Sequence, residues 1–310
     1  MLAVLGTAEL VLRAFEAKLS IDLLHIHDIP KISAGLAQKP RPRILFLGNS
    51  LTREGIDEAA LKEGLSGFGG GEAVSLAKVF PDNTQIAEWY YAFRRYFINS
   101  GHPPDCLIIS CQPVQLRDQA PFSIYGLGRH WIDYQDVGEV FDADLTVFGD
   151  KVEFVLSRAS VMFANRFRIS SRILVACVPG HEQLARRVNT MRNETLEATL
   201  ARQEEAKPTY QRLKRFAELA RANHVRFIVA AMPVCSPYDI DPNLLETART
   251  LGVTVLDCRN VPGLRKEDYR DGYHLTPKGA AMYSAVLAEK LAPLLETIRA
   301  PAPATASEPS

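Results

Sequence analysis

Residues 44–51 read Ile44-Leu45-Phe46-Leu47-Gly48-Asn49-Ser50-Leu51. Four bulky apolar residues in a row stop abruptly at a glycine, an amide and a serine. A run this short and this apolar, closed by turn residues, is the pattern of a strand buried on both faces, and such strands belong to parallel sheets covered by helices. The pattern recurs: Ala73 to Ala77, Cys106 to Ser110, Val225 to Ala231 and Val253 to Asp257 read as four further strands. Helical spacing fills the intervals. Asp57 to Leu65 is a short helix, and Thr84 to Ser100 places Ile86, Trp89, Tyr90, Phe93 and Phe97 on an apolar face. A last helix starts near Pro277, a residue suited to the first helical turn, and runs to about Ile298. Strand and helix alternating in this way predict an α/β fold with a parallel sheet and helices on both faces.

Residues 118–205 interrupt the alternation between the third and fourth strands. They read as a helical insertion over the top of the sheet, a lid, that ends in a polar helical stretch from His181 to Glu205. At the other end, residues 1–24 read as helical, and residues 25–42, with Pro30, Pro40 and Pro42, as an irregular lead-in. The apolar stretch Leu2 to Ala8 is too short to span a bilayer and is soon interrupted by Glu9 and Arg13. It is either part of an amphipathic helix, with Leu5, Leu12, Phe15 and Leu19 on or near one face, or the remnant of a membrane anchor. The chain thus divides into an N-terminal helix and lead-in (1–42), an α/β domain (43–299), and a tail (300–310) poor in bulky apolar residues and expected to be disordered.

Composition excludes several functions. The 36 basic residues balance 36 acidic ones, so there is no global positive field for nucleic acid and no polybasic run for an anionic membrane. Cys106, Cys111, Cys177, Cys235 and Cys258 are scattered with no CxxC pair, which argues against a disulfide framework or a zinc site and for small buried hydrophobes. His25 and His27 form an HxH without a nearby carboxylate or cysteine partner and read as surface or packing residues. The glycines at 67 to 71 lack the lysine and hydroxyl of a phosphate loop. Arg129, His130 and Trp131, with Arg94 and Arg95, read as solvated surface, or else as contacts for a sugar or an anion.

Chemistry concentrates at two places. Ser50 falls at the carboxyl end of the first strand, where open α/β sheets bind their ligands. A serine hydroxyl is a weak nucleophile and needs a base within hydrogen-bond reach. The segment Asp271-Gly272-Tyr273-His274-Leu275-Thr276-Pro277 offers one, in a loop after the fifth strand and on the same edge. Asp271 precedes His274 by three residues, so one loop can hold both side chains together, the carboxylate orienting the imidazole and stabilising its cation.

Taken together, Gly48-Asn49-Ser50-Leu51 and the DxxH from Asp271 to His274 resemble the nucleophile and C-terminal blocks of the SGNH (GDSL-type) hydrolase superfamily. The resemblance covers about Arg43 to Leu291, apart from the insertion. It implies a flavodoxin-like three-layer α/β/α sandwich with a five-stranded parallel sheet in the order 2-1-3-4-5. It also implies Ser50 as nucleophile, His274 as general base and Asp271 as its orienting carboxylate, with no metal or organic cofactor. The middle blocks differ. The family supplies an oxyanion glycine after the second strand and an asparagine after the third; this chain has Lys78-Val79-Phe80-Pro81-Asp82-Asn83 and Ser110-Cys111-Gln112-Pro113-Val114-Gln115. The stand-ins are the backbone N–H of Ser50, a backbone amide near Lys78, the side-chain amide of Gln112 or Gln115, and Asn83. The activity implied is a serine esterase acting on small acyl esters, acetyl above all, of carbohydrates. O-acyl transfer to an envelope polysaccharide, lipase- or thioesterase-like activity, and a catalytically inactive binding or scaffold protein are the alternatives. An anchor preceding the N-terminus would place the protein at the cell envelope.

Overall fold

Five strands carry the fold: β1 (Arg43–Leu47), β2 (Ser75–Val79), β3 (Cys106–Cys111), β4 (Arg226–Ala231) and β5 (Thr254–Asp257). In this computed structural model, which describes residues 2–66, 74–178, 180 and 207–299, all of them are parallel and lie in the order β2-β1-β3-β4-β5. Alternate side chains of each strand enter two separate cores. Leu45 and Leu47 join Leu107, Ile109 and Val229 on one face, and Ile44 and Phe46 join Ile108 and Ile228 on the other. Both faces are dry, which is why β1 has no polar position among Ile44 to Leu47.

Thirteen described helices surround the sheet. In chain order they are α1 (Leu2–Phe15), α2 (Ile21–Ala37), α3 (Ser50–Gly55), α4 (Glu58–Ser66) and α5 (Ile86–Phe93), the last continued by a π-turn to Ile98. The insertion follows as α6 (Ile124–Gly126), α7 (Val137–Ala143), α8 (Phe148–Ala159), α9 (Val161–Ala164) and α10 (Arg166–Cys177). Then come α11 (Gln211–Ala222), α12 (Pro242–Leu251) and α13 (Pro277–Arg299). Residues of α2, α5, α11 and α12 fill the core under Leu45, and residues of α3, α4 and α13 the core under Phe46. The result is an α/β/α sandwich of flavodoxin-like order.

Several regions depart from expectation. The lead-in from residue 25 is not irregular: α2 runs through Pro30 to Ala37. Leu23, Ile26, Ile29 and Leu36 are buried on one side of it, Ser20 caps its start by accepting the Leu23 N–H, and burial of that stripe outweighs the proline penalty. The described part of the insertion is not laid over the top of the sheet. Leu127, Trp131, Val140, Leu145 and Phe154 extend the core of the α2–α5 face. The expected helix from His181 to Glu205 and the tail from 300 lie outside the described residues.

Arg94, Arg95 and residues 129–131 are structural clamps rather than solvated surface. His130 and Trp131 are buried, Arg129 pairs with the buried Glu16, Arg94 pairs with Asp136 and Glu139, and Arg95 donates to the carbonyls of His130 and Ile132. Cys106, Cys111 and Cys258 are buried as expected, whereas Cys177 is exposed and Cys235 half-buried.

Of the apolar face expected at the N-terminus, Leu19 packs against the core and Leu12 is half-buried, and charges add to the docking. Leu5 and Phe15 are exposed, while Glu9 accepts from Ser160 Oγ (2.8 Å), Val161 N–H (2.8 Å) and Met162 N–H (2.9 Å), capping α9. Directly after α1, Glu16 is 1% exposed and accepts from Arg129 and Asn165 Nδ2. No described helix is long and apolar enough to cross a membrane.

Two outcomes follow from these buried groups. Glu16→Ala strands the Arg129 guanidinium and leaves the Asn165 amide with Val161 O alone, and should cost about 3–5 kcal/mol in chemical denaturation. Burial, opposed by the Glu16 carboxylate and reinforced by Arg129, His27 and Arg168, pulls the His130 imidazole from 6.5 to about 3. Between those values the unfolded chain holds a proton that the folded chain refuses, so stability is full above pH 6.5 and declines as the pH falls. The thermal midpoint of the wild type should therefore drop on acidification below pH 6.5 by more than that of His130→Phe, which has no proton to gain.

Candidate active site

Parallel strands end on one side of a sheet, and here their carboxyl ends collect the polar groups. β1 closes at Gly48, whose N–H continues the ladder to Val79 O (3.0 Å). A side chain at this position is excluded by packing: a Cβ on Gly48 would fall 2.0 Å from Thr52 Oγ1 and 3.1 Å from Ser110 O. Thr52 uses that approach to donate to Ser110 O (2.7 Å), which pins α3 to the end of β3. Asn49 turns the chain: extended itself (φ −128°), it accepts the Leu51 N–H on its side chain and donates Nδ2 to Thr84 O (3.0 Å). Ser50 is thereby the first residue of α3, half-buried, with its own N–H outside the intrahelical ladder.

The opposing loop is built just as tightly. Tyr269 and Leu275 form an antiparallel bridge, and the Arg270 N–H donates to His274 O (2.8 Å), so residues 270–274 form a closed tip. Gly272 makes the turn possible with φ +86°, and its carbonyl accepts the Cys235 N–H from the segment after β4 (2.9 Å). Inside this tip, Asp271 Oδ1 accepts the N–H groups of Tyr273 (3.1 Å) and His274 (2.9 Å), and Oδ2 lies 2.7 Å from His274 Nδ1. His274 Nε2 lies 2.8 Å from Ser50 Oγ.

Partial burial raises the Asp271 pKa, but the bonds from the His274 N–H, the His274 ring and the Tyr273 N–H outweigh it and hold the carboxyl at about 2. An ionised Asp271 draws the imidazole proton to Nδ1, which leaves Nε2 with a lone pair facing the hydroxyl. The chain's most separated candidates, 224 residues apart, are thus in direct contact.

The remaining candidates are placed differently. Lys78 is within β2, paired with Phe46, and its Nζ donates to Ile56 O (2.8 Å); it is not brought to the Ser50 edge. Gln115 folds back so that its Oε1 accepts the Gln112 N–H (3.1 Å) and closes the turn after β3. Gln112 does reach the edge. Leu47 is in register with Val79 and Ile109, so β1, β2 and β3 run out side by side, and Gln112 is the first residue after β3. The segment that follows β2 at this level is Phe80–Asn83, with Asn83 in the left-handed region (φ +56°).

Charged side chains that neighbour Ser50 and Asp271 in the chain also come together, and the sequence offered no motif for them. Arg53, three residues after Ser50, donates from Nη1 to both oxygens of Asp82 (2.6 Å each) and from Nε to Glu54 (3.0 Å); Glu54 in turn accepts from Arg270 (2.5 Å). This row links α3 to the loop after β2 and to the loop that carries His274. Only the adjacency of Arg53 and Glu54 to Ser50, and of Arg270 to Asp271, could have hinted at it. Among the described residues no group of three His, Cys, Asp or Glu side chains is arranged to hold a metal ion.

No protein-family model matches the chain, and no curated protein sequence matches it. Among solved structures it is similar to a lipase/acylhydrolase from Enterococcus faecalis, at TM-score 0.39 and 10% identity over 81% of this chain and 96% of that one. It is also similar to an alpha/beta hydrolase enzyme from the Lake Arreo metagenome, at 0.39 and 12% over 86% and 100%. A third likeness is to a catalytic mutant of an acetylxylan esterase from Geobacillus stearothermophilus, at 0.36 and 11% over 83% and 93%. These are likenesses of outline at low identity. What this chain has in common with the SGNH pattern its sequence resembles is its own strand order, β2-β1-β3-β4-β5, with a serine after β1 and a DxxH loop before the last helix.

Proposed function

We propose that the protein is a serine esterase in which Ser50, His274 and Asp271 act as nucleophile, general base and orienting carboxylate. The observation that carries this reading is the continuous hydrogen-bonded line from Ser50 Oγ through both nitrogens of His274 to Asp271, at 2.8 and 2.7 Å. The Ser50 hydroxyl attacks the ester carbonyl carbon while Nε2 takes its proton. Asp271 stabilises the resulting imidazolium. The tetrahedral intermediate collapses as His274 returns the proton to the leaving alcohol oxygen, leaving an acyl group on Ser50. Water, activated by the same imidazole, then releases the acid. The oxyanion is met by the Ser50 N–H, by the Phe80–Asn83 loop and by the Gln112 amide, which all stand at the carboxyl edge of the sheet.

The substrate follows from the rim. Arg53, Glu54, Asp82 and Arg270 form a hydrogen-bonded charged row on the segments that carry Ser50 and His274 and on the loop after β2. Such a rim suits a hydroxyl-rich alcohol bearing a small acyl group, and we assign the activity to acetyl esters of carbohydrates. A long acyl chain would have to lie against these charges, at the cost of stripping water from them without replacing its hydrogen bonds.

A fluorophosphonate probe should label the wild type and not Ser50→Ala. Failure to label the wild type would favour a binding or scaffold role for the fold. On p-nitrophenyl acetate, Asp271→Asn should lower kcat/KM by about 10⁴-fold, because an amide no longer holds the proton on Nδ1. Activity that falls steeply from acetyl to longer acyl esters, with release of acetate from acetylated sugars, is the expected profile. A preference for long chains would instead identify a lipase-like enzyme, and transfer to added sugar exceeding hydrolysis an acyltransferase.

A further inference from the structure

We propose that Asp22 and His25, on the N-terminal helix α2, are positioning residues for the Ser50 site that hold the Phe80–Asn83 loop and present the Asn83 N–H to the reacting carbonyl. The inference rests on Ser50 being the nucleophile, and goes beyond it by making the reaction depend on a helix that precedes the α/β domain.

The geometry is specific. His25 Nε2 accepts the Phe80 N–H (3.0 Å), and its ring stacks on the Phe80 ring with centroids 3.8 Å apart and planes within 7°. Asp22, three residues earlier and so on the same side of the helix, accepts the Asp82 N–H on Oδ1 (2.8 Å). Pro81 between them has no N–H. Of the three N–H groups in Phe80–Asn83, α2 takes two, so the donor left to the loop is that of Asn83, the residue in the left-handed conformation. The far side of the loop is fixed to the nucleophile turn. Thr84 O accepts from Asn49, Thr84 Oγ1 donates to Pro81 O (2.7 Å), and Trp89 Nε1 donates to Thr84 Oγ1 (2.9 Å). Asp82 is held from the catalytic side by Arg53, and Asp22 from the insertion by Arg168 (3.1 Å).

The loop is therefore clamped between α2 and the turn that carries Ser50. Burial keeps the His25 imidazole at about 4, with Asp28 and Asp82 raising it and Arg53 and Lys78 lowering it, so the ring is neutral and Nε2 is available as an acceptor. Backbone donors act on the transition state only when they point at the position the oxyanion will occupy, and a misplacement of about 1 Å costs on the order of 10²-fold.

Four variants test this in the full chain, read by the rate of fluorophosphonate labelling at Ser50 and by kcat and KM on p-nitrophenyl acetate. His25→Phe keeps a ring on Phe80 but has no acceptor, and Asp22→Ala removes the other tie. Both should slow labelling and lower kcat about tenfold or more at little-changed KM. His25→Gln and Asp22→Asn still offer an oxygen to the same N–H groups and should restore rates to within about threefold of wild type. Wild-type rates in folded His25→Phe and Asp22→Ala would overturn the inference while leaving the esterase intact. So would a loss that follows thermal stability alone and is not restored by Gln or Asn. An unlabelled wild type would instead remove the nucleophile reading on which the inference stands.

Discussion

The central strands of a sheet buried on both faces have little room for polar side chains, and this constraint organises the whole molecule. Ile44 to Leu47, Leu107 to Ile109 and Ile228 to Val229 give every side chain to one core or the other. Their backbone groups are satisfied within the ladder. Charged and hydrogen-bonding residues are therefore displaced to the strand ends, and because all five strands are parallel, one edge receives the loops after β1, β2, β3, β4 and β5 together. The register then sets heights: Leu47, Val79 and Ile109 are partners, so the residues that follow them emerge side by side.

At that edge short-range hydrogen bonds do what the core does elsewhere. Asp271 accepts from two backbone groups of its own loop before it meets His274, so the carboxylate is fixed independently of the imidazole it orients. Gly48 admits Thr52 against Ser110 O, which fixes the start of α3 and with it Ser50. The triad side chains are half-exposed to half-buried, so their contacts depend on these backbone anchors more than on exclusion of water.

The N-terminal helices and the insertion form a second system joined to the first. Glu9 caps α9, Glu16 binds Arg129 and Asn165, and Arg168 reaches Asp22, whose other oxygen holds the loop after β2. Carboxylates buried at helix ends and paired with arginines favour one arrangement of these pieces over others, because any other leaves a charge without its partner. The same residues explain why a stretch read as lead-in is a helix. Pro30 is exposed on α2 and gives up one bond, whereas Leu23, Ile26, Ile29 and Leu36 gain a core.

How much of this was legible in the chain depends on whether the cause was local. The five strands were readable because double-faced burial writes itself as short apolar runs, and Ser50, Asp271 and His274 because each sits at a fixed offset from a strand end or helix start. Asp271 and His274 share one loop, so even their contact was readable. The row Arg53–Asp82–Glu54–Arg270, the ties from Asp22 and His25, and the burial of His130 and Trp131 had no such signal. Each joins segments from tens to more than two hundred residues apart, and a surface-seeming arginine or an HxH looks the same whether or not a partner faces it. Sequence alone determined the layers, since these follow from periodicity along the chain, and it placed Ser50 and His274 after a strand and before a helix of the same sheet edge. Which amides of the loop after β2 are already bonded was decided only in three dimensions, where α2 takes the Phe80 and Asp82 N–H groups and the sheet keeps Lys78.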